Sequence, residues 1–137
     1  MDYSKNLIKK FKFWTLSVHG NQEYLGRCVL WCNRENALDL VDITKEEMNE
    51  FLFIIKNLKK AIEKSFNSDW INYSFLGNSE PHLHCHFVPR YKSERTFENT
   101  VFTDKRWGKN WLLDEDFITP ENILQKIKNI IAKNLII

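Results

Sequence analysis

Cysteine is scarce in this chain of 137 residues, and its three copies (Cys28, Cys32 and Cys85) are odd in number and form no C-x-x-C pair. Neither a disulfide framework nor a zinc knuckle is indicated. Long apolar runs are missing as well. None approaches the roughly 20 residues of a membrane span, and the opening MDYSKNLIKK lacks the apolar stretch of a secretory signal. The expectation is a cytoplasmic protein with no membrane partner. An excess of one charge is also lacking: a net +2 gives no argument for a nucleic-acid partner. No H-E-x-x-H or His-x-His-x-Asp string offers a ready hydrolytic metal site. Repeats, low-complexity segments and internal linkers are absent. What remains is ordinary for a globular chain, 43% hydrophobic and 28% charged, and its length suits a single domain over residues 1–137.

Several elements are legible. Residues 3–10 fit a short helical turn. From Phe11 to Val18 aromatic and β-branched residues alternate, which predicts a strand. His19-Gly20-Asn21-Gln22 reads as a turn, and Arg27 to Cys32 as a second strand pairing with the first. Thr44 opens the clearest helix, because Glu47 three residues on completes a capping box. Met48, Phe51, Leu52, Ile55, Leu58, Ile62 and Phe66 then form an apolar stripe, with Phe53 on the opposite side as a candidate subunit contact. Trp70 to Leu76 alternates, and Gly77-Asn78-Ser79-Glu80 turns the chain into the next stretch, so these two are expected to be antiparallel neighbours. Residues 91–117 show little periodicity. Trp107 and Trp111 lie there near Lys105, Arg106 and Lys109, which fits either a surface loop pinned by tryptophans or a lid over an anionic ligand. Thr119-Pro120 predicts an N-cap and first-turn proline for a last helix striped by Ile123, Leu124, Ile127, Ile130 and Ile131.

The chemistry concentrates between Pro81 and Arg90. His82, His84 and His86 occupy every second position, and Leu83, Cys85 and Phe87 fill the gaps. Alternate side chains of a strand point to opposite faces, so the expectation is a strand with three imidazoles toward a site and apolar groups toward a core. Asn72 and Ser74 on the preceding strand are candidates to share the imidazole face. Clustering three titratable rings costs stability unless something compensates, which favours a functional reading.

Two chemistries use such a row. Neutral imidazoles bind metals, with His19 as a further ligand. Alternatively, a neutral imidazole nitrogen attacks a phosphoryl centre and divides one displacement into two through a covalent intermediate. That ring needs its other nitrogen hydrogen-bonded to an acceptor, and the phosphate oxygens need donors. The middle histidine, flanked by the other two, has the geometry for the nucleophile.

The stretch His82-Leu83-His84-Cys85-His86-Phe87-Val88 resembles the signature of the histidine triad superfamily, three histidines alternating with hydrophobic residues. Gly77-Asn78 before it, the Pro-Arg-Tyr exit, and Tyr24-Leu25-Gly26-Arg27 ahead of a strand resemble its diadenosine polyphosphate hydrolase-like branch, over roughly residues 11–91. The resemblance implies an α+β fold: an antiparallel sheet with one long packed helix and a C-terminal helix, paired as a homodimer. It implies cofactor-free hydrolysis or transfer at the α-phosphate of a nucleotide conjugate, through a nucleotidyl-histidine intermediate. His84 corresponds to the nucleophile, and His82 and His86 to rings that orient it or contact phosphate. Asn72, Gly77, Asn78 and Ser79 correspond to substrate-binding positions. Asn78 replaces a glutamine, and Glu80 is a departure, a carboxylate beside a phosphate site. That departure keeps open a low-turnover nucleotide-binding module, with a metal-dependent hydrolase as a further alternative.

Overall fold

The computed structural model describes residues 4–137. After a short 3₁₀ turn at Ser4–Asn6, the chain forms β1 (Leu7–Lys10), β2 (Trp14–Val18) and β3 (Cys28–Cys32). A second 3₁₀ turn at Leu40–Asp42 leads into α1 (Lys45–Phe66). Then come β4 (Trp70–Ser74), β5 (His84–Arg90), the hairpin of β6 (Arg95–Phe97) and β7 (Thr100–Phe102), and α2 (Glu121–Asn134). Five strands make one sheet in the order β1-β2-β3-β5-β4, each neighbour antiparallel to the next. The architecture is the expected α+β one. No helix among the described residues is long and apolar enough to cross a membrane.

The register divides the sheet into two faces. Leu16 pairs with Leu30 and Leu30 with Cys85. This row, with Trp14, Val18, Cys28, Cys32, Ile71 and Phe87, is buried in one hydrophobic core with Phe51, Ile54, Leu58 and Ile62 of α1 and Ile123, Leu124, Ile127 and Ile131 of α2. All three cysteines are free and buried, small apolar fillers as their sequence context suggests. The opposite face carries Thr15, Ser17, Val29, Trp31, His84, His86, Asn72 and Ser74.

Helix α1 starts where the capping box places it. Thr44 Oγ1 accepts from the Glu47 N–H and Glu47 Oε1 from the Thr44 N–H, satisfying two donors that a helix start leaves orphaned. Glu47 is itself buried. Its Arg34 ion pair holds the carboxyl down at about 2, with the Thr44 and Cys32 hydrogen bonds assisting against burial. The buried stripe, however, runs through Ile54 and Ala61, whereas Met48 and Leu52 stay 45% and 44% exposed. Trp14 packs at a tilt against Phe51, with ring centroids 5.1 Å apart, and bonds through Nε1 to the Glu47 carbonyl, which fixes the helix's rotation. Phe53 is exposed as expected.

Three other boundaries differ from the sequence reading. Leu7 to Lys10 is strand, not helical turn, because β2 supplies it with backbone partners; Tyr3 lies outside the described residues. The strand expected from Phe11 begins at Trp14, since the Phe11 N–H closes a turn on the Trp14 carbonyl. The last helix is capped at Pro120 with no side-chain bond, because Thr119 Oγ1 accepts instead from the Gln22 N–H.

Candidate active site

The site lies on the sheet face away from the helices, where β3, β4 and β5 run side by side. β5 follows the expected alternation, with Leu83, Cys85 and Phe87 buried in the core. The regular strand starts at His84, while His82 precedes it; there the Leu83 amide and carbonyl bond to Ala37 and Cys32. Ser74 pairs with His86 and Asn72 with Val88, so Asn72 and Ser74 share the imidazole face, as expected. Trp31 pairs with His84 and Val29 with His86.

Each triad ring has a defined backbone or side-chain partner. His84 Nδ1 lies 2.6 Å from the His82 carbonyl oxygen, and His82 Nε2 lies 2.6 Å from the Cys32 carbonyl oxygen. A carbonyl only accepts, so both of these nitrogens carry hydrogen. With Nδ1 so committed, Nε2 is the nitrogen at which a neutral His84 ring carries its lone pair. Trp31 lies parallel to His82, with ring centroids 4.2 Å apart, and also stacks on His84. His84 and His86 meet edge to face at 5.1 Å. Stacking and hydrogen bonds together restrain all three rings, as a site requiring fixed geometry needs.

The fourth histidine joins this group. His19, at the end of β2, lies 6.3 Å from His86 and accepts at Nδ1 from the Asn21 N–H. Burial lowers its pKa to about 3, assisted by Arg27 and His86. His86 is likewise held down at about 4, first by burial, then by Arg27 and His84. Both rings are neutral at physiological pH. Arg27 reaches His86 Nδ1 through Nη2 at 3.3 Å, and its guanidinium covers the Trp111 ring.

Trp111 caps this corner. Its Nε1 donates to Ser74 Oγ at 2.9 Å, and its ring lies 5.5 Å from His86. The Tyr24 hydroxyl bonds both the amide and the carbonyl of Leu112, so the segment is pinned onto the sheet. Arg90 pins it from the other side: Nε and Nη2 pair with Asp104, and further donations reach the Arg106 and Lys109 carbonyls. Arg90 Nη1 also donates to Asn72 Oδ1 at 2.7 Å, which ties Asn72 into this buttress. A cavity of about 470 Å³ between β4 and residues 107–111 adjoins Asn72, Ser74 and Trp111 rather than the histidines.

Gly77 takes a positive φ of 77°, turning the chain between β4 and the histidines, and with His82 and His84 it borders a small cleft. Asn78, Ser79 and Glu80 of the same turn are exposed. Among the described residues, no group of three or more His, Cys, Asp or Glu side chains is arranged to hold a metal ion.

The sequence singles out the triad and its β4 neighbours as site residues, but not Arg27, Trp31 or the contact of His19 with His86. The alternation was available for all three, Arg27 sharing the parity of Val29 and Trp31. Thr15, Ser17 and His19 share parity, and Val29 and Trp31 stand opposite Ser17 and Thr15 once the β2–β3 register is known. Trp111 carried no periodic signal at all.

A model of the HIT domain matches residues 24–93. The bis(5'-adenosyl)-triphosphatase of Saccharomyces cerevisiae is 33% identical over 87 residues, which is 60% of this chain and 42% of that protein. The Dictyostelium discoideum protein of the same name is 30% identical over 76 residues, 52% of this chain and 50% of that protein. The chain thus spans half or less of the length of these relatives. Among solved structures, a histidine triad protein from Sinorhizobium meliloti superposes with a TM-score of 0.77 at 17% identity, over 98% of this chain and 96% of that one.

Proposed function

The chain belongs to the HIT domain family, and from that premise we propose that it cleaves nucleotide conjugates such as diadenosine polyphosphates at the α-phosphate, through a covalent intermediate on His84. The observation that carries this reading is the His84 Nδ1 bond to the His82 carbonyl, which commits the ring's remaining lone pair to Nε2. In the first step Nε2 attacks the α-phosphorus. A P–N bond forms, the P–O bond to the leaving group breaks, and the electron pair departs with that oxygen. In the second step water attacks the same phosphorus and the P–N bond breaks, its electron pair returning to the imidazole; one of the water's protons stays on the new P–OH of the nucleoside monophosphate and the other is released to solvent. Splitting the displacement this way is the general advantage of covalent catalysis.

His82 orients His84 through its carbonyl, and His86 donates toward the phosphate oxygens, where charge has to be stabilised. Gly77, Asn78 and Ser79 bind the substrate from the turn ahead of the triad. Asn72 takes part in substrate binding from β4, held in place by Arg90. The chemistry needs no metal. The protein acts in the cytoplasm, and it acts as a homodimer; the pairing is supported by the β4 edge, which has a neighbour on one side only among the described residues and exposes Trp70 and Tyr73.

The test is incubation with diadenosine tri- and tetraphosphate, adenosine phosphoramidate and nucleoside-diphosphate sugars, with and without chelator. The expected result is release of nucleoside monophosphate, unaffected by chelator, with a labelled adduct trapped on His84. Activity abolished by chelator, or retained in His84→Ala, would refute the mechanism. Tight nucleotide binding with no product would instead favour a regulatory binding module, the reading that the carboxylate of Glu80 beside the triad keeps open.

A further inference from the structure

Arg27 is the most heavily buried cation of the site, 2% exposed. It immediately precedes β3, at the end of a turn that leaves it little freedom. Gly26 takes a φ of 87° with Ile62 and Phe66 carbons only 3.0–3.2 Å from where a Cβ would stand, and the buried Gln22 bonds the Gly26 amide and the Arg27 carbonyl. Among the described residues no carboxylate lies within ion-pair distance of the guanidinium. Its Nε and Nη1 are buried without a hydrogen-bond partner, and Trp111 covers its face. Glu23 acts on it only at longer range, and burying a cation without a direct ion pair is costly. The polar contact this one makes is with an imidazole nitrogen, His86 Nδ1.

Arginine has five donors and no acceptor, so a ring nitrogen that contacts it must present a lone pair. We propose that Arg27 is a positioning residue that locks His86 in the tautomer bearing hydrogen on Nε2, so that His86 meets the substrate side of the site only as a donor. The inference rests on the nucleotide-cleaving function proposed above and adds the device that assigns opposite roles to two adjacent rings. His84 is fixed with hydrogen on Nδ1 and a lone pair at Nε2; His86 is fixed the other way round. A nucleophilic nitrogen and a hydrogen-bond donor therefore stand side by side on one strand face. The charge of Arg27 also opposes protonation of His86, which would remove the distinction between its two nitrogens. The titratable or charged groups facing His86 are Arg27, His19 and His84, and the Ser74 hydroxyl and the Trp111 indole complete its surroundings.

The experiment uses nitrogen-15 imidazole NMR on the intact protein, which reports tautomers without substrate. In the unmodified protein His86 is expected to carry hydrogen on Nε2 alone at pH 7. In Arg27→Met a population with hydrogen on Nδ1 should appear. The acidic limb of the kcat/KM profile should also move toward neutral pH, and kcat should fall about 10–100-fold, part of the 10²–10⁴ a positioned acid supplies. Arg27→Lys, which retains a cation, should leave the acidic limb nearer the original position than Arg27→Met does. Hydrogen on His86 Nδ1 in the unmodified protein would overturn the proposal even if both variants fail to fold. So would an unchanged His86 tautomer in a folded Arg27→Met. Absence of turnover in the unmodified protein would count against the proposed function, and the tautomer measurement would still decide the role of Arg27.

Discussion

Replacing Asp104 by asparagine tests whether the segment over the site is held by one buried ion pair. The Asp104 side chain is fully buried against Arg90, which is 4% exposed. One carboxylate oxygen accepts from Arg90 Nε at 2.7 Å and from the Tyr91 N–H at 3.1 Å. The other accepts from Arg90 Nη2 and the Arg106 N–H, each at 3.0 Å. Burial opposes ionisation, but these donors outweigh it and hold the carboxyl below its ordinary pKa. Asparagine keeps one acceptor oxygen. Its amide nitrogen must then face two donors on one side, losing a charge-assisted bond worth about 1.5–3 kcal/mol and a backbone bond worth about 1 kcal/mol. Added to the orphaned guanidinium, the expected loss is about 3–5 kcal/mol, the range for breaking a buried pair by removing one partner. With a urea dependence of about 1.5 kcal/mol per molar, the unfolding midpoint should fall by about 2 M or more. The exposed Glu115 provides the control, since Glu115→Gln should change stability by less than about 0.5 kcal/mol. A midpoint for Asp104→Asn within the control's range would refute the reasoning.

Three further outcomes are expected. His84→Ala should lower kcat/KM for a dinucleoside polyphosphate by at least about 10³-fold, as removal of other covalent nucleophiles does, with the unfolding midpoint measured alongside to show that the fold persists. Gly26→Ala should cost about 2–4 kcal/mol in urea unfolding, because it combines a positive φ with a Cβ about 3.0 Å from Ile62 and 3.1 Å from Phe66; a neutral result would mean that α1 can move away. As pH falls below about 6.5, the unfolded chain protonates its histidines, while folded His86 and His19 resist until about 4 and 3. Stability should therefore drop from pH 7 toward pH 4. Below about 4.5 a further loss sets in as Glu47, held at about 2 when folded, binds protons more readily in the unfolded state. A flat midpoint between pH 7 and 5, or the same slope in a double His19→Asn, His86→Asn variant, would contradict this.

Periodicity and caps were legible in the sequence because they are local. The alternation from His82 to Phe87 sorts imidazoles from core groups through strand geometry alone, and Thr44 with Glu47 marks a helix start through contacts three residues apart. The helix's rotation was not legible, because Trp14 and Gly26 set which of Ile54 and Ile55 turns inward. The same is true of β1, which is a strand only because β2 lies beside it.

The site divides along the same line. That His84 keeps Nε2 unbonded follows from a bond within two residues of it, to the His82 carbonyl, and the row of histidines marked it as a candidate. What holds His86 neutral and in one tautomer comes from a guanidinium 59 residues away in sequence, under a tryptophan seated by Ser74, Tyr24 and the Arg90–Asp104 pair. Such contacts have no signature in the order of residues, because they depend on register and on how separate strands meet. Residue order alone selected the candidate reactive groups; only the folded sheet decided which nitrogen of each ring is bonded within the protein and which is left for a ligand.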